Sequence, residues 1–110
     1  MNRYQILIEY EGTLYNGWQI QKKGKSIQEN IEIVLSKLLK EKIKIYGSGR
    51  TDTGVHAKEQ SAHFDTTNKI IQKDKLLNSL NFFLNKKKIS ILKIKKKNKI
   101  FHSRYSATVS

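Results

Sequence analysis

Residues 26–47, SIQENIEIVLSKLLKEKIKIYG, carry the reading that decides the fold. Ser26 followed by Glu29 is a capping-box pattern, in which each side chain can satisfy the other's free backbone donor at a helix start. From there Ile27, Ile31, Val34, Leu35, Leu38 and Leu39 recur at helical spacing, placing one apolar stripe against a core while Glu32, Lys37 and Lys40 face out. The period then changes. Lys42 to Gly47 has Ile43 and Ile45 on one side and reads as a short strand.

Upstream, residues 3–11 alternate with Tyr4, Ile6, Ile8 and Tyr10 on one face and Gln5, Glu9 and Glu11 around Leu7 on the other, a strand that Gly12 ends. Thr13 to Lys25, with Asn16-Gly17 and Gly24 as turn signals, is a loop. Downstream, Ser48 to Ala57 has two of the six glycines and no apolar periodicity, so it too is expected to be a loop. Lys58 to Thr66 alternates again, with Ala62 and Phe64 on one face and Ser61, His63 and Asp65 on the other. A second helix is predicted over Asp74 to Asn85 from Leu76, Leu77, Leu80, Phe83 and Leu84, and a last strand over Ile89 to Lys96. The order β-α-β-β-α-β predicts an α+β, ferredoxin-like split βαβ fold, a four-stranded antiparallel sheet with two helices on one face. It forms a single domain over residues 1–110.

The chain has 110 residues, with 22 basic against 9 acidic side chains, a net charge of +13 and a pI near 10.0. Such a field attracts polyanions, and nucleic acid is the leading partner class, ahead of an acidic membrane surface. Of the basic residues 19 are lysine, a bias that AT-rich coding alone also produces. The lysine-rich stretch Lys86 to Lys99 reads first as a solvated strand edge that discourages sheet-to-sheet pairing. Cysteine is absent, which excludes disulfides, zinc-thiolate sites and a cysteine nucleophile. The opening residues MNRYQILIEYEG alternate, unlike a signal peptide or membrane span, so a soluble, cytoplasmic protein without membrane contact is expected.

Chemistry concentrates in Gly47-Ser48-Gly49-Arg50-Thr51-Asp52-Thr53-Gly54-Val55-His56-Ala57. Asp52 stands two residues from Arg50, and three glycines let the backbone approach a ligand. A carboxylate beside an arginine is held ionised, which suits a nucleophile or base. The bland alternative is a turn aspartate bonded to its own backbone. His56, His63 and His102 lack metal-ligand spacing, so no metal site is expected. Gly47-x-Gly49 fails the dinucleotide fingerprint, because its third glycine is misplaced and a strand follows. The aromatic RNP signature of RNA recognition motifs is not evident either, although that module shares the predicted free sheet face.

GSGRTDTGVHA, residues 47–57, resembles the catalytic motif of the tRNA pseudouridine synthase A family, written G-x-G-R-T-D-x-G-V-H-A. YEGTLYNGWQIQ at 10–21, QSAHFDT at 60–66 and FHSRYSA at 101–107 resemble further family blocks in the same order, so the likeness covers essentially the whole chain. Ser48 and Thr53 stand where the family often has alanine. Family members are longer, and the chain resembles their N-terminal half. The resemblance implies isomerisation of uridine to pseudouridine in the anticodon stem-loop of tRNA, at positions just after the anticodon. It makes Asp52 the catalytic aspartate, as nucleophile or as base toward a sugar proton, with Arg50, Thr51 and His56 at the substrate. It also implies tRNA as partner, a homodimer, and no cofactor. The alternatives are a truncated, noncatalytic basic tRNA-binding domain, and a small domain whose charge reflects genome composition only. The uncovered sheet face, with strand residues such as Tyr4 or Ile6 exposed on it, predicts self-association.

Overall fold

The alternating N-terminal stretch becomes β1 (Asn2–Glu11), an inner strand of the sheet. The computed structural model describes residues 1–11, 25–52 and 57–98, with 48–52 and 57–58 described by their backbone. After β1 come α1 (Ile27–Leu39), β2 (Ile45–Asp52), β3 (Ala57–Thr66), α2 (Lys73–Leu84), a 3-10 turn at Asn85–Lys87, and β4 (Ile89–Lys97). The strands lie in the order β2-β3-β1-β4, and all three pairings are antiparallel. This is the split βαβ topology that the sequence predicts. Of the predicted loops Thr13 to Lys25 and Ser48 to Ala57, residues 13–24 and 53–56, with His56, lie outside the described residues, as do the FHSRYSA block and His102.

One apolar core joins the two layers. Tyr4, Ile6, Ile8 and Tyr10 of β1 are buried together with Ile27, Ile31 and Leu35 of α1, Leu80 and Leu84 of α2, and Phe64 of β3. Tyr4 and Ile6 therefore face the helices, and the expectation that they lie exposed on the uncovered face is corrected. Their period of two matched the alternation that any half-buried strand shows, and the helices cover that apolar side. The face left open carries Gln5, Leu7, Ser61 and His63 instead.

The capping box at the start of α1 forms as the sequence predicts: Glu29 N–H donates to Ser26 Oγ at 3.1 Å, and Ser26 N–H donates to Glu29 Oε1 at 3.1 Å. Lys40 ends the helix in the left-handed region at φ 55°. Residues 42–44, predicted as the start of a strand, lead into β2 without joining the ladder. The N–H groups of Ile43 and of Ile45, the first residue of β2, turn toward α1, where Ile43 donates to Ser36 Oγ at 2.9 Å and Ile45 to Glu32 Oε2 at 2.9 Å. Glu41 is the tie at this end of the fold, accepting from the Thr66 hydroxyl, from Thr67 N–H at 3.0 Å and from Asn68 Nδ2 at 2.9 Å. The Thr66 hydroxyl above all, with Thr67 and Asn68 assisting, holds the Glu41 carboxyl below its usual pKa.

The last strand contains an irregularity that its sequence conceals. Leu7 pairs with Lys93 but Ile8 with Ile91, so Leu92 is the extra residue of a bulge. Alternation resets there, which is why Ile89, Ile91 and Ile94 are all buried while Leu92 is exposed. The edge at this point is closed by α2. Ile91 N–H donates to Asn81 Oδ1 at 2.7 Å, and Asn81 Nδ2 donates to Ile91 O at 3.0 Å. Lys93, Lys95 and Lys96 stand exposed on the same edge strand, as the lysine-rich stretch predicted.

Candidate active-site strand and nucleic-acid face

The candidates Arg50, Thr51 and Asp52 sit on β2, and here the sequence expectation needs its main correction. Ser48 to Asp52 is strand, not loop, and β3 begins at Ala57. The segment forms a strand without apolar alternation because ladder hydrogen bonds need no apolar side chains. Gly47 pairs with Ala62, whereas Arg50 pairs with Gln60, so Ser48 and Gly49 oppose the single residue Ser61. Glycine suits such a bulge because it tolerates the distorted backbone.

Beyond the bulge the rows are Arg50 with Gln60, Thr51 with Glu59, and Asp52 with Lys58. Asp52 is thus the last residue of its strand, at the mouth of the β2–β3 connection. Arg50 and Asp52 occupy alternate rows, two residues apart on one strand. A rigid ladder therefore holds the backbone of both candidate residues, which loops do less well. Thr51 lies in the row between them.

The helix-free face is a polar network. Arg3 grips Asp65 through two hydrogen bonds, Nε to Oδ1 at 2.8 Å and Nη2 to Oδ2 at 2.9 Å. That bidentate contact holds the Asp65 carboxyl below its ordinary value and raises the Arg3 guanidinium. Gln5 Nε2 donates to Ser61 Oγ at 2.9 Å. The ring of His63, only 2% exposed, stacks on Tyr46 with centroids 5.3 Å apart, while Tyr46 keeps half its surface in solvent. A packed His63 is what its place on a strand predicts.

Charge is graded across this face. On the β4 side, Gln5, Leu7, Lys93 and Lys95 line a shallow hollow. Toward the Asp52 end, Glu9 pairs with Glu59 across the β1–β3 ladder. A phosphate backbone is therefore attracted on the lysine side and repelled on the glutamate side. Among the described residues no group of three His, Cys, Asp or Glu side chains could hold a metal ion, and no helix is long and apolar enough to cross a membrane.

Sequence reasoning passed over two residues. Gln60, in QSAHFDT, is buried at 5% exposure in the row of Arg50, and Asn81 clamps the β4 edge. Both are polar residues on predicted elements, and polarity alone gives no signal of burial or of an edge contact.

The sequence pattern described as tRNA pseudouridine synthase matches residues 6–106 of the chain. The tRNA pseudouridine synthase A of Pelagibacter ubique (strain HTCC1062) is 63% identical over 107 residues, covering 97% of this chain and 44% of the relative. Those of Neorickettsia sennetsu (strain ATCC VR-367 / Miyayama) and Acinetobacter baumannii (strain ACICU) are 46% and 48% identical, covering 96% and 98% of this chain and 43% and 40% of theirs. The chain thus spans less than half the length of the curated relatives it matches.

Proposed function

We propose, since this chain belongs to the tRNA pseudouridine synthase family, that it forms the N-terminal, catalytic part of an enzyme isomerising uridine to pseudouridine in the anticodon stem-loop of tRNA, at positions 38 to 40. The reaction neither adds nor removes atoms. The C1′–N1 bond breaks, the uracil turns, C5 bonds to C1′, a proton leaves C5 and N1 gains one.

The observation that carries this reading is the place of Asp52. It is the only carboxylate in GSGRTDTGVHA, and the ladder fixes its backbone at the end of β2. Asp52 acts as the catalytic group, adding to the nucleotide or taking a sugar proton. Arg50, two residues away, contacts the substrate together with Thr51 and His56. No metal or redox cofactor enters an isomerisation of this kind. The target base must leave its stack, at a cost of a few kcal/mol that phosphate and stacking contacts offset. Lys93 and Lys95 on the open face supply counter-charge to the tRNA backbone. The protein works in the cytoplasm, as a homodimer.

The test is Asp52→Asn, which keeps size and turn preference and removes the charge. Folding and tRNA affinity are expected to survive while pseudouridine formation, mapped in tRNA, disappears. Residual turnover within roughly tenfold of wild type sinks the assignment, because loss of an essential nucleophile or base costs far more.

A further inference from the structure

The register orders the open face of the sheet into rows. Tyr46 of β2 lies opposite His63 of β3, His63 opposite Gln5 of β1, and Gln5 opposite Lys95 of β4. One row therefore runs from an aromatic ring at one edge to an ammonium group at the other, three strand spacings or about 14 Å apart. In the neighbouring rows Leu7 is opposite Lys93 and Arg3 opposite Lys97. Arg3 is neutralised by Asp65, so the positive charge of these rows stands on β4. Gln5 and Leu7 form, with Lys93 and Lys95, the floor and rim of the shallow hollow next to them.

Two aromatic side chains are exposed among the described residues. Phe82 lies on α2, with the Lys86 ammonium 5.0 Å from its ring centre, whereas Tyr46 belongs to the open face. The buried His63 ring stacks on Tyr46 at 27° between planes, which holds the phenol in place while half of it stays in solvent. A ring ordered before a ligand arrives loses little rotamer freedom on binding. An aromatic platform beside a cationic strip is the chemistry that binds single-stranded nucleic acid, because every base has a π-face and every nucleotide a phosphate. A duplex keeps its bases stacked on one another and offers none to the ring. Glu9 and Glu59, paired farther along the same face, repel phosphate and confine the strand to the lysine rows.

We propose that Tyr46 is a stacking platform for an unpaired nucleotide of the bound tRNA, with Lys93 and Lys95 attracting the phosphates beside it. The nucleotide is not the reacting uridine, since Tyr46 is six residues from Asp52 along β2, about 15–20 Å of strand. The contact therefore selects the RNA without touching the chemistry. The inference rests on the function proposed above for the identity of that RNA.

The experiment uses the full-length chain and three probes: tRNA, a single-stranded oligouridylate, and a blunt RNA duplex of the same length. Tyr46→Phe keeps the ring, and Tyr46→Leu removes it while keeping apolar bulk. For the Leu variant, affinity for tRNA and for oligouridylate is expected to fall roughly tenfold, within the range of base–aromatic stacking, while duplex affinity stays within about twofold. The Phe variant is expected to bind all three within about twofold of wild type. In pseudouridine formation the Leu loss is expected in KM and not in kcat, as for an interaction kept through the reaction. Lys93→Gln with Lys95→Gln weakens binding of all three probes, because phosphate attraction ignores base pairing. Melting curves check that each variant is folded. Unchanged oligouridylate affinity in the Leu variant, an equal loss on duplex and single strand, or a Phe variant as weak as Leu overturns the proposal. So does a Leu variant whose mass by light scattering changes while its RNA affinity does not, since a second copy of the chain then covers the ring. A wild-type protein that forms no pseudouridine while the ring effect on single strands persists overturns the proposed function and supports the platform.

Discussion

Replacing Asn81 by leucine removes the clamp on the β4 edge while keeping a side chain of similar size. The clamp consists of two hydrogen bonds, at 2.7 and 3.0 Å, to the N–H and C=O of Ile91, a buried residue. Each such bond contributes about 1 kcal/mol net, and a backbone group left unpaired out of water costs about 1–3 kcal/mol. Water reaches an edge strand in part, so the total is about 2–4 kcal/mol. Against a typical stability of roughly 5–15 kcal/mol, that is a large share. Urea denaturation at neutral pH measures it: the midpoint is expected to fall with little change in the slope m. Asn81→Asp is the sharper companion. It keeps an acceptor for Ile91 N–H but sets a carboxylate oxygen against Ile91 O, so it is expected to destabilise comparably. A loss below about 0.5 kcal/mol for Asn81→Leu, the range of an ordinary surface substitution, refutes the reasoning.

The Arg3–Asp65 pair sets a pH dependence. Asp65 is lowered from its ordinary 3.8, so the pair stabilises the fold above that value and the stabilisation is lost as pH falls through the lower folded-state pKa. Asp65→Asn is expected to flatten the stability curve in that acid window, measured by denaturation at several pH values; an unchanged curve contradicts it. Affinity for tRNA is expected to fall linearly with salt on a log–log plot, by about 0.7–0.9 per phosphate neutralised, and Lys93→Gln with Lys95→Gln lowers that slope by about 2. Fluorescence anisotropy over a salt series reads both, and an unchanged slope removes these lysines from the interface.

Elements that pack against the core announced themselves in sequence. The stripe from Ile27 to Leu39 and the alternation of Tyr4, Ile6, Ile8 and Tyr10 record burial directly, and the Ser26–Glu29 pair records a helix start. The far half of β2 did not, because its residues 48–52 carry no apolar rhythm and a ladder needs none. The bulge at Leu92 was hidden for a related reason: one inserted residue makes ISILKI ambiguous between two phases. The family was legible through another channel. GSGRTDTGVHA is distinctive in residue identity where it is silent in periodicity. Asn81 was missed because its importance lies in the β4 backbone that it clamps, which only the packing of α2 on the sheet discloses.

The bulge at Ser48 and Gly49 divides one strand between two masters. Ile45 answers to the core, and residues 50–52 answer to whatever the strand end meets, with a one-residue change of phase between them. Substitutions before the bulge consequently act on the packing of Ile45 in the core, and those after it on the candidate residues Arg50, Thr51 and Asp52. Selection can tune either half while leaving the other alone. Deleting a single residue at 48 or 49 would merge them into one regular ladder, with Arg50 still opposite Gln60 and the local twist of the bulge gone.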